Sequence, residues 1–433
     1  MTYEEALDFL YRQLPMFQRI GAAAFKKDLT NTLKLCEALG NPQDTFPTIH
    51  IAGTNGKGST AHSLAAVLQS AGYKTGLYTS PHLKEYTERI RINGKNMPGE
   101  SVARFVEKYR GLLEEVRPSF FEMSVVMAFE YFARQEVDVA VIEVGMGGRL
   151  DSTNVITPRL SVITSIGKDH QQFLGETLPE IAGEKAGIIK PAVPVVAGHN
   201  PPEVLEVIRE KAARSNAPCH VAADTYHVQP HDETNTQGIL FRVFKENKLW
   251  EEKLVFSLMG WYQRYNLPAI LMSIDLLRNQ CQFDRISDND VKKGLESVQE
   301  LTGLKGRWQI LRTSPFVVCD TGHNHDGIAQ VMKQLAHIPR RTLRIVLGTV
   351  ADKDLNDIFP LFPKEAIYYF CAANVPRALA AEELKQAAAS HQLIGKAYAS
   401  VSEAVKTARD EAAEEDLIFI GGSTFVVAEL DEI

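Results

Sequence analysis

The 433-residue chain is poor in several features, and each scarcity removes a class of protein. Its five cysteines, Cys36, Cys219, Cys281, Cys319 and Cys371, are scattered, odd in number and never spaced C-x-x-C. That pattern offers neither a disulfide framework nor a zinc site, and reduced thiols in a cytoplasmic protein are the expectation. No apolar run approaches the roughly 18 residues that span a bilayer. The opening stretch "MTYEEALDFLYRQL" is acidic and amphipathic, unlike a signal peptide. A membrane partner is therefore not expected. Charge of one sign is also scarce: the net charge of -7 is modest and opposite to that of a general nucleic-acid binder. Small anionic ligands would need local basic residues. No internal repeat or low-complexity tract is visible. What remains is 45% hydrophobic and 23% charged residues, which suit large buried cores, in a length that suits two or three domains.

Apolar runs rich in β-branched residues alternate with helix-like segments. "TIHIAG" (48–53), "KTGLYTS" (74–80), "VDVAVIEVG" (137–145), "LSVITSI" (160–166) and "PVVAG" (194–198) read as strands. Between them, "STAHSLAAVLQSAG", "ESVARFVEKYRGLLEEV" and "FEMSVVMAFEYFARQ" carry apolar residues at helical spacing. Such alternation implies a mostly parallel sheet covered on both faces. The more polar stretch 227–258 reads as a meander, and two helices follow near 262–281 and 287–298. The Gly-punctuated "ELTGLKGRWQIL" (300–311) places a boundary between domains 1–299 and 300–433. Beyond it, "FVVCDTGHN", "RTLRIVLGTV", "AIYYFCAAN" and "DLIFIGGS" restart the alternation in a smaller α/β domain.

The chemistry concentrates at strand ends. The first strand runs into Gly53-Thr54-Asn55-Gly56-Lys57-Gly58-Ser59, followed by a helix. Small residues there let backbone N–H groups approach phosphate oxygens, and a lysine reaches the terminal phosphates. The loop departs from the strict G-x-x-x-x-G-K-[ST] pattern, since position 51 is Ile and Gly58 separates Lys57 from the hydroxyls. A GTPase is disfavoured because no Asn-Lys-x-Asp base reader follows, and a protein kinase because its glycine loop and HRD segment are missing. Ser80, Glu143 and His170 offer a hydroxyl, a carboxylate and an imidazole near three other strand ends. Together they suit a magnesium ion holding ATP phosphates. Lys185, inside the apolar "EIAGEKAGII", reads either as a plain snorkelling lysine or as one whose burial favours the neutral amine, the form that reacts with CO₂ to give an anionic carbamate.

In order along the chain, "AGTNGKGS", "YTSPHL", "ERIRING", "FFEMSVVMAFEYF", "EVGMGGRLDSTN", "DHQQFLGETLPEIAGEKAGIIKP", "GRWQ" and "DTGHNHDG" resemble the folylpolyglutamate synthase/dihydrofolate synthase family. That family is the folate branch of the Mur ligase superfamily, and the likeness runs from about residue 17 to the C-terminus. The resemblance implies an N-terminal P-loop ATPase domain with a mostly parallel sheet, a smaller C-terminal Rossmann-like α/β domain, and an active site between them. It implies ATP and two Mg²⁺ ions, and an amide ligase adding L-glutamate to a folate or to dihydropteroate through an acyl phosphate.

Residue by residue, Gly56, Lys57, Gly58 and Ser59 match the phosphate binders, and Asn266, Arg307 and Asp320 further nucleotide contacts. Ser80, Glu143 and His170 match the metal ligands, and Lys185 the carbamylated lysine. Ser119, Phe120, Phe121, Leu150, Asp151 and Ser152 fall where a pteroate group docks, with Phe120 or Phe121 either stacked on the pterin or part of the core. His323 is a candidate base. Lys168 and "TGHNH" (321–325) depart from the family's usual "GLDH" and "GAHNP". The expected partners are small molecules only, with the chain a cytoplasmic monomer. The alternatives are a Mur-type peptidoglycan ligase, or a nucleotide- or folate-binding protein without turnover.

Overall fold

The computed structural model describes residues 1–14, 28–231, 233, 235 and 237–433, so the start of the likeness, residues 17–27, lies outside the described residues. The chain divides into two compact units, Met1–Ser257 with Gln263–Leu304, and Leu258–Tyr262 with Lys305–Ile433. The boundary expected after residue 299 thus falls after Leu304, and five earlier residues belong with the second unit. The reasons are local. His62 Nδ1 and the Thr302 hydroxyl lie 2.7 Å apart in the first unit, which holds the last turn before Gly303 there. In the second unit, Trp261 N–H donates to Gln334 Oε1 at 2.7 Å, which ties down the earlier segment.

In the first unit the strands are β1 (Thr48–Ala52), β2 (Thr75–Tyr78), β3 (Ile90–Ile92), β4 (Lys95–Asn96), β5 (Val139–Glu143), β6 (Leu160–Ile163), β7 (Val195–Ala197) and β8 (Cys219–Val221). Among the described residues they form one sheet in the order β4-β3-β2-β5-β1-β6-β7-β8. β2, β5, β1, β6, β7 and β8 run parallel; at one edge β3 runs antiparallel to β2, and β4 antiparallel to β3. β1 and β5 are buried at every position, which is why they read as continuous apolar runs. The short β3, β4 and β8 escape sequence reading, because two or three residues carrying Arg91, Lys95 or His220 give no period to detect. Register places Ile51 opposite Glu143 and Ala52 opposite Ile163, so the carboxyl ends of β5, β1 and β6 share one edge. β1 leads to β2 on one side while β6 lies on the other. Open α/β sheets bind ligands outside the strand ends at such a reversal.

The expected meander is β9 (Tyr226–Pro230), β10 (Ile239–Lys245) and β11 (Lys248–Phe256), paired antiparallel. In the second unit, β12 (Gln309–Thr313), β13 (Phe316–Cys319), β14 (Leu343–Leu347), β15 (Ile367–Phe370), β16 (Gly395–Ala397) and β17 (Leu417–Gly421) order as β12-β13-β17-β14-β15-β16. Only β12 is antiparallel to its neighbour, giving the Rossmann-like layout expected. Phe370, Ile345, Phe419 and Leu384 are among its core side chains.

Candidate active site

β1 ends at Ala52, and Gly53 and Gly56 follow with φ of 151° and 87°. Both values sit in the region that suits glycine. A Cβ on Gly53 would lie 1.9 Å from Thr164 Oγ1, and one on Gly56 2.2 Å from Asn266 Oδ1. The turn is thus clamped between the loop after β6 and the helix Gln263–Gln280. Gly56 precedes the helix Lys57–Ser70, whose N-terminal end therefore opens at the loop. Behind the turn runs a buried amide chain: Asn266 Nδ2 donates to Gln263 Oε1 at 2.8 Å, and Gln263 Nε2 to Ser59 Oγ at 3.1 Å. Gln263 is fully buried and was not anticipated. Its signal was its place one helical turn before Asn266, on the same face.

Two lysines meet at this turn. Lys57 Nζ donates to the carbonyls of Gly53 and Thr54, both at 3.1 Å. Lys185 Nζ donates to the same Gly53 carbonyl at 2.8 Å. Lys185 closes the helix Leu178–Lys185, whose entry is fixed by a capping box between Thr177 and Glu180. Its side chain is 4% exposed. Burial, and then the neighbouring Lys57 ammonium, push its amine down from the ordinary 10.5 to about 7. One carbonyl dipole shared by two cationic groups is an arrangement that attracts anions.

The expected metal ligands separate into a pair and a third member. Ser80 N–H donates to Glu143 Oε2 at 3.1 Å, joining the end of β5 to the loop after β2. Glu143 is 5% exposed. His170 comes seven residues after β6, with φ of 52°, and its Nε2 lies 3.9 Å from Asp169 Oδ2. Among the described residues no three His, Cys, Asp or Glu side chains converge. A hydroxyl, one carboxylate and one imidazole nevertheless fit magnesium, which takes few protein ligands.

The six residues expected at the pteroate site divide by role. Ser119 caps the helix Phe120–Arg134 in a capping box with Glu122. Phe120 belongs to the core, stacked on Tyr11 at 5.6 Å, whereas Phe121 is half-buried against Gly145. Leu150 is half-buried and Ser152 buried. Asp151 is buried and accepts from Met146 N–H at 2.9 Å and Thr153 N–H at 3.0 Å. Burial raises its carboxyl above the ordinary value, and these hydrogen bonds oppose the rise. The Thr153 hydroxyl links Asp151 to His50 Nε2, 2.8 Å away in β1. Burial keeps that histidine neutral, pushed down to about 3.

In the second unit Asp320 is 2% exposed and fully engaged. Oδ2 accepts from the Tyr262 hydroxyl and from Trp308 N–H, each at 2.7 Å, and Oδ1 from Gly322 N–H at 2.7 Å. Asp320 thereby ties the turn carrying Arg307 to the end of β13. Arg307 Nη1 donates to the Thr321 hydroxyl. His323 Nδ1 lies 3.0 Å from the Thr321 carbonyl. A carbonyl only accepts, so Nδ1 carries a proton.

A Mur ligase middle-domain model matches residues 51–274, and a Mur ligase glutamate-ligase-domain model residues 306–424. A Bacillus subtilis dihydrofolate synthase/folylpolyglutamate synthase is 32% identical over 441 residues, covering 99% of this chain and 98% of its own. Among solved structures, a Mycobacterium tuberculosis folylpolyglutamate synthase complexed with ADP and AMPPCP superposes with a TM-score of 0.84 at 31% identity, covering 93% of this chain and 94% of its own. An Escherichia coli relative in complex with DHPP and ADP gives a TM-score of 0.84 at 28% identity, covering 99% of this chain and 96% of its own.

Proposed function

Because the chain belongs to the folylpolyglutamate synthase/dihydrofolate synthase family of Mur ligases, and so to the ATP-dependent ligases, we propose that it joins a folate or dihydropteroate carboxylate to the amine of L-glutamate. A carboxylate is a poor acyl donor because its leaving group would be oxide. Its oxygen therefore attacks the γ-phosphorus of ATP, ADP departs, and an acyl phosphate forms. The glutamate amine then attacks the acyl carbon, the amide forms, and phosphate leaves with the nitrogen's proton passed to a base.

The convergence of Lys57 and Lys185 on the Gly53 carbonyl carries this reading. The first step brings two anions together, so it needs fixed positive charge at the γ-phosphoryl group, and Lys57 supplies it. The N–H groups at the helix end that opens at Gly56 hold the phosphates, with Gly58 and Ser59 beside them. Magnesium, when bound, would neutralise the transferring group, with Ser80, Glu143 and His170 as its holders. Lys185, as the free amine, adds to CO₂, loses a proton and becomes an anionic carbamate able to hold a second ion. Asn266, Arg307 and Asp320 are taken as nucleotide contacts, Asp320 acting by fixing the turn that presents Arg307. His323 Nε2 is the proton acceptor for the amine. Phe121, Leu150, Asp151 and Ser152 receive the pteroate end. The reading takes the chain as a cytoplasmic monomer, in keeping with its five free cysteines.

The test is phosphate release from ATP with magnesium and glutamate, offering dihydropteroate, tetrahydrofolate and a UDP-muramoyl acceptor in turn. Turnover with a pteroate compound, lost in Lys57→Ala, is the expected result. Turnover with the UDP-muramoyl acceptor alone would point to a peptidoglycan ligase. No ATP consumption with any acceptor would overturn the reading.

A further inference from the structure

A turn that receives an anion still carries one carbonyl oxygen per residue. A carbonyl facing a triphosphate repels it, so each one has to be drawn elsewhere. In this turn every carbonyl from Ala52 to Gly56 accepts a hydrogen bond. Ala52 O accepts from Thr164 N–H at 2.9 Å, and Gly56 O from Thr60 N–H at 2.9 Å within the helix. Gly53 O and Thr54 O accept from the two lysines. Asn55 O is held by side chains: the Thr164 hydroxyl donates to it at 2.8 Å and the Ser165 hydroxyl at 3.3 Å. Thr164 has one hydroxyl proton and a longer alternative for it, Ala52 O at 3.3 Å. Which carbonyl it takes depends on how the backbone of residues 164–166 is set.

That backbone is gripped on two sides. Toward β1, Ser165 O accepts from Thr54 N–H at 2.7 Å and from Asn55 N–H at 3.3 Å. The Thr54 hydroxyl donates to Gly167 O and accepts from Gly167 N–H, both at 3.0 Å. Toward β7 the ladder stops with Gly198 N–H donating to Ile163 O at 2.7 Å. Asn200 carries it further with its side-chain amide. Its Oδ1 accepts from Ile166 N–H at 2.8 Å, and its Nδ2 donates to Thr164 O at 2.8 Å and to Gly198 O at 3.2 Å. One half-buried side chain thus stands in for the backbone donor and acceptor of a missing strand residue. Asn200 has no task in the chemistry above. We propose that Asn200 is a positioning residue for ATP: it sets the backbone of residues 164–166 so that the Thr164 hydroxyl stays on Asn55 O, and the turn meets the triphosphate with no free carbonyl. The inference rests on the reading of this turn as the phosphate site.

The experiment titrates ATP with magnesium into the full chain by calorimetry, for the wild type, Thr164→Val, Thr164→Ser, Asn200→Ala and the double variant Thr164→Val/Asn200→Ala. Thermal unfolding checks that each is folded at the titration temperature. Wild-type binding comes first, and its absence would defeat the functional reading instead of this one. Given binding, Thr164→Val, which keeps the shape and loses the hydroxyl, raises Kd about 3- to 10-fold, the range for one hydrogen bond. Thr164→Ser, which keeps the hydroxyl, stays near the wild-type value. Asn200→Ala raises Kd by a similar factor to Thr164→Val, and the double variant is little worse than either, because both act through one contact. Thr164→Val binding as tightly as the wild type, or Thr164→Ser as weakly as Thr164→Val, would overturn the proposal, and neither arm changes Asn200. An Asn200→Ala variant with unchanged Kd, or losses that add in the double variant, would overturn it too, the latter assigning Asn200 to the scaffold.

Discussion

Lys185 in the first unit and Asp320 in the second are both almost wholly buried, at 4% and 2% exposure, but their neighbours treat them differently. Asp320 receives three donors from its own chain, from Tyr262, Trp308 and Gly322. Lys185 has one carbonyl, which it shares with a second ammonium, Lys57. The aspartate is held as a charge whose work is to shape a turn. The lysine is held where its charge is disfavoured, and its nitrogen is left reactive. Burial alone therefore does not separate framework from chemistry; the balance of partners around the buried charge does.

The sharpest way to break that contrast is to remove each charge. Lys185→Met should lower phosphate release by at least the order of 10²- to 10³-fold expected for a central electrostatic group. The same substitution should raise stability. The Lys185 amine titrates near 7 in the folded chain, against an ordinary 10.5. Between those values the unfolded chain holds a proton that the native chain does not, so this group's contribution to stability rises with pH across that window. Below about 7 its penalty is fully present. Denaturant midpoints should therefore rise more on Lys185→Met at pH 6 than at pH 9; an equal rise at both would mean the amine is not depressed.

Asp320→Ala should do the opposite, losing about 1–3 kcal/mol for each donor that water cannot reach. Equilibrium unfolding should show it, and an unchanged midpoint would remove Asp320 from the framework. Gly56→Ala is next in size. A left-handed residue costs about 1–2 kcal/mol in itself, and its Cβ would press on Asn266 at 2.2 Å. KM for ATP should rise, and adding Asn266→Ala should restore part of the stability. The smallest effect is Ser119→Ala, about 1 kcal/mol of lost cap read by thermal unfolding. A much larger effect on acceptor KM than on stability would move Ser119 from cap to substrate contact.

The long parallel strands were legible because full burial writes an unbroken apolar run, as in "VAVIE" of β5. The glycine turn was legible because its φ values admit few residues. Glu143 was conspicuous as an acid in such a run, and its link to Ser80 follows from adjacent strand ends. Three things were not legible. Gln263 looks like any polar helix residue until it is seen between Ser59 and Asn266. Arg89 sits in the short polar segment "ERIRING", whose composition does not announce that the guanidinium is buried. The domain boundary was misplaced because glycine punctuation marks where a chain bends, while membership is decided by long-range bonds such as His62 to Thr302.

The five residues Leu258–Tyr262 bring Met259 to the second core and the Tyr262 hydroxyl to Asp320, although their neighbours in sequence on both sides lie in the first unit. A gene fragment beginning at Lys305 would lack that stitch and leave Asp320 one donor short. The halves of this ligase are consequently poor candidates for swapping between relatives as ready-made cassettes. A chimaera would have to carry the stitch across with the half that uses it.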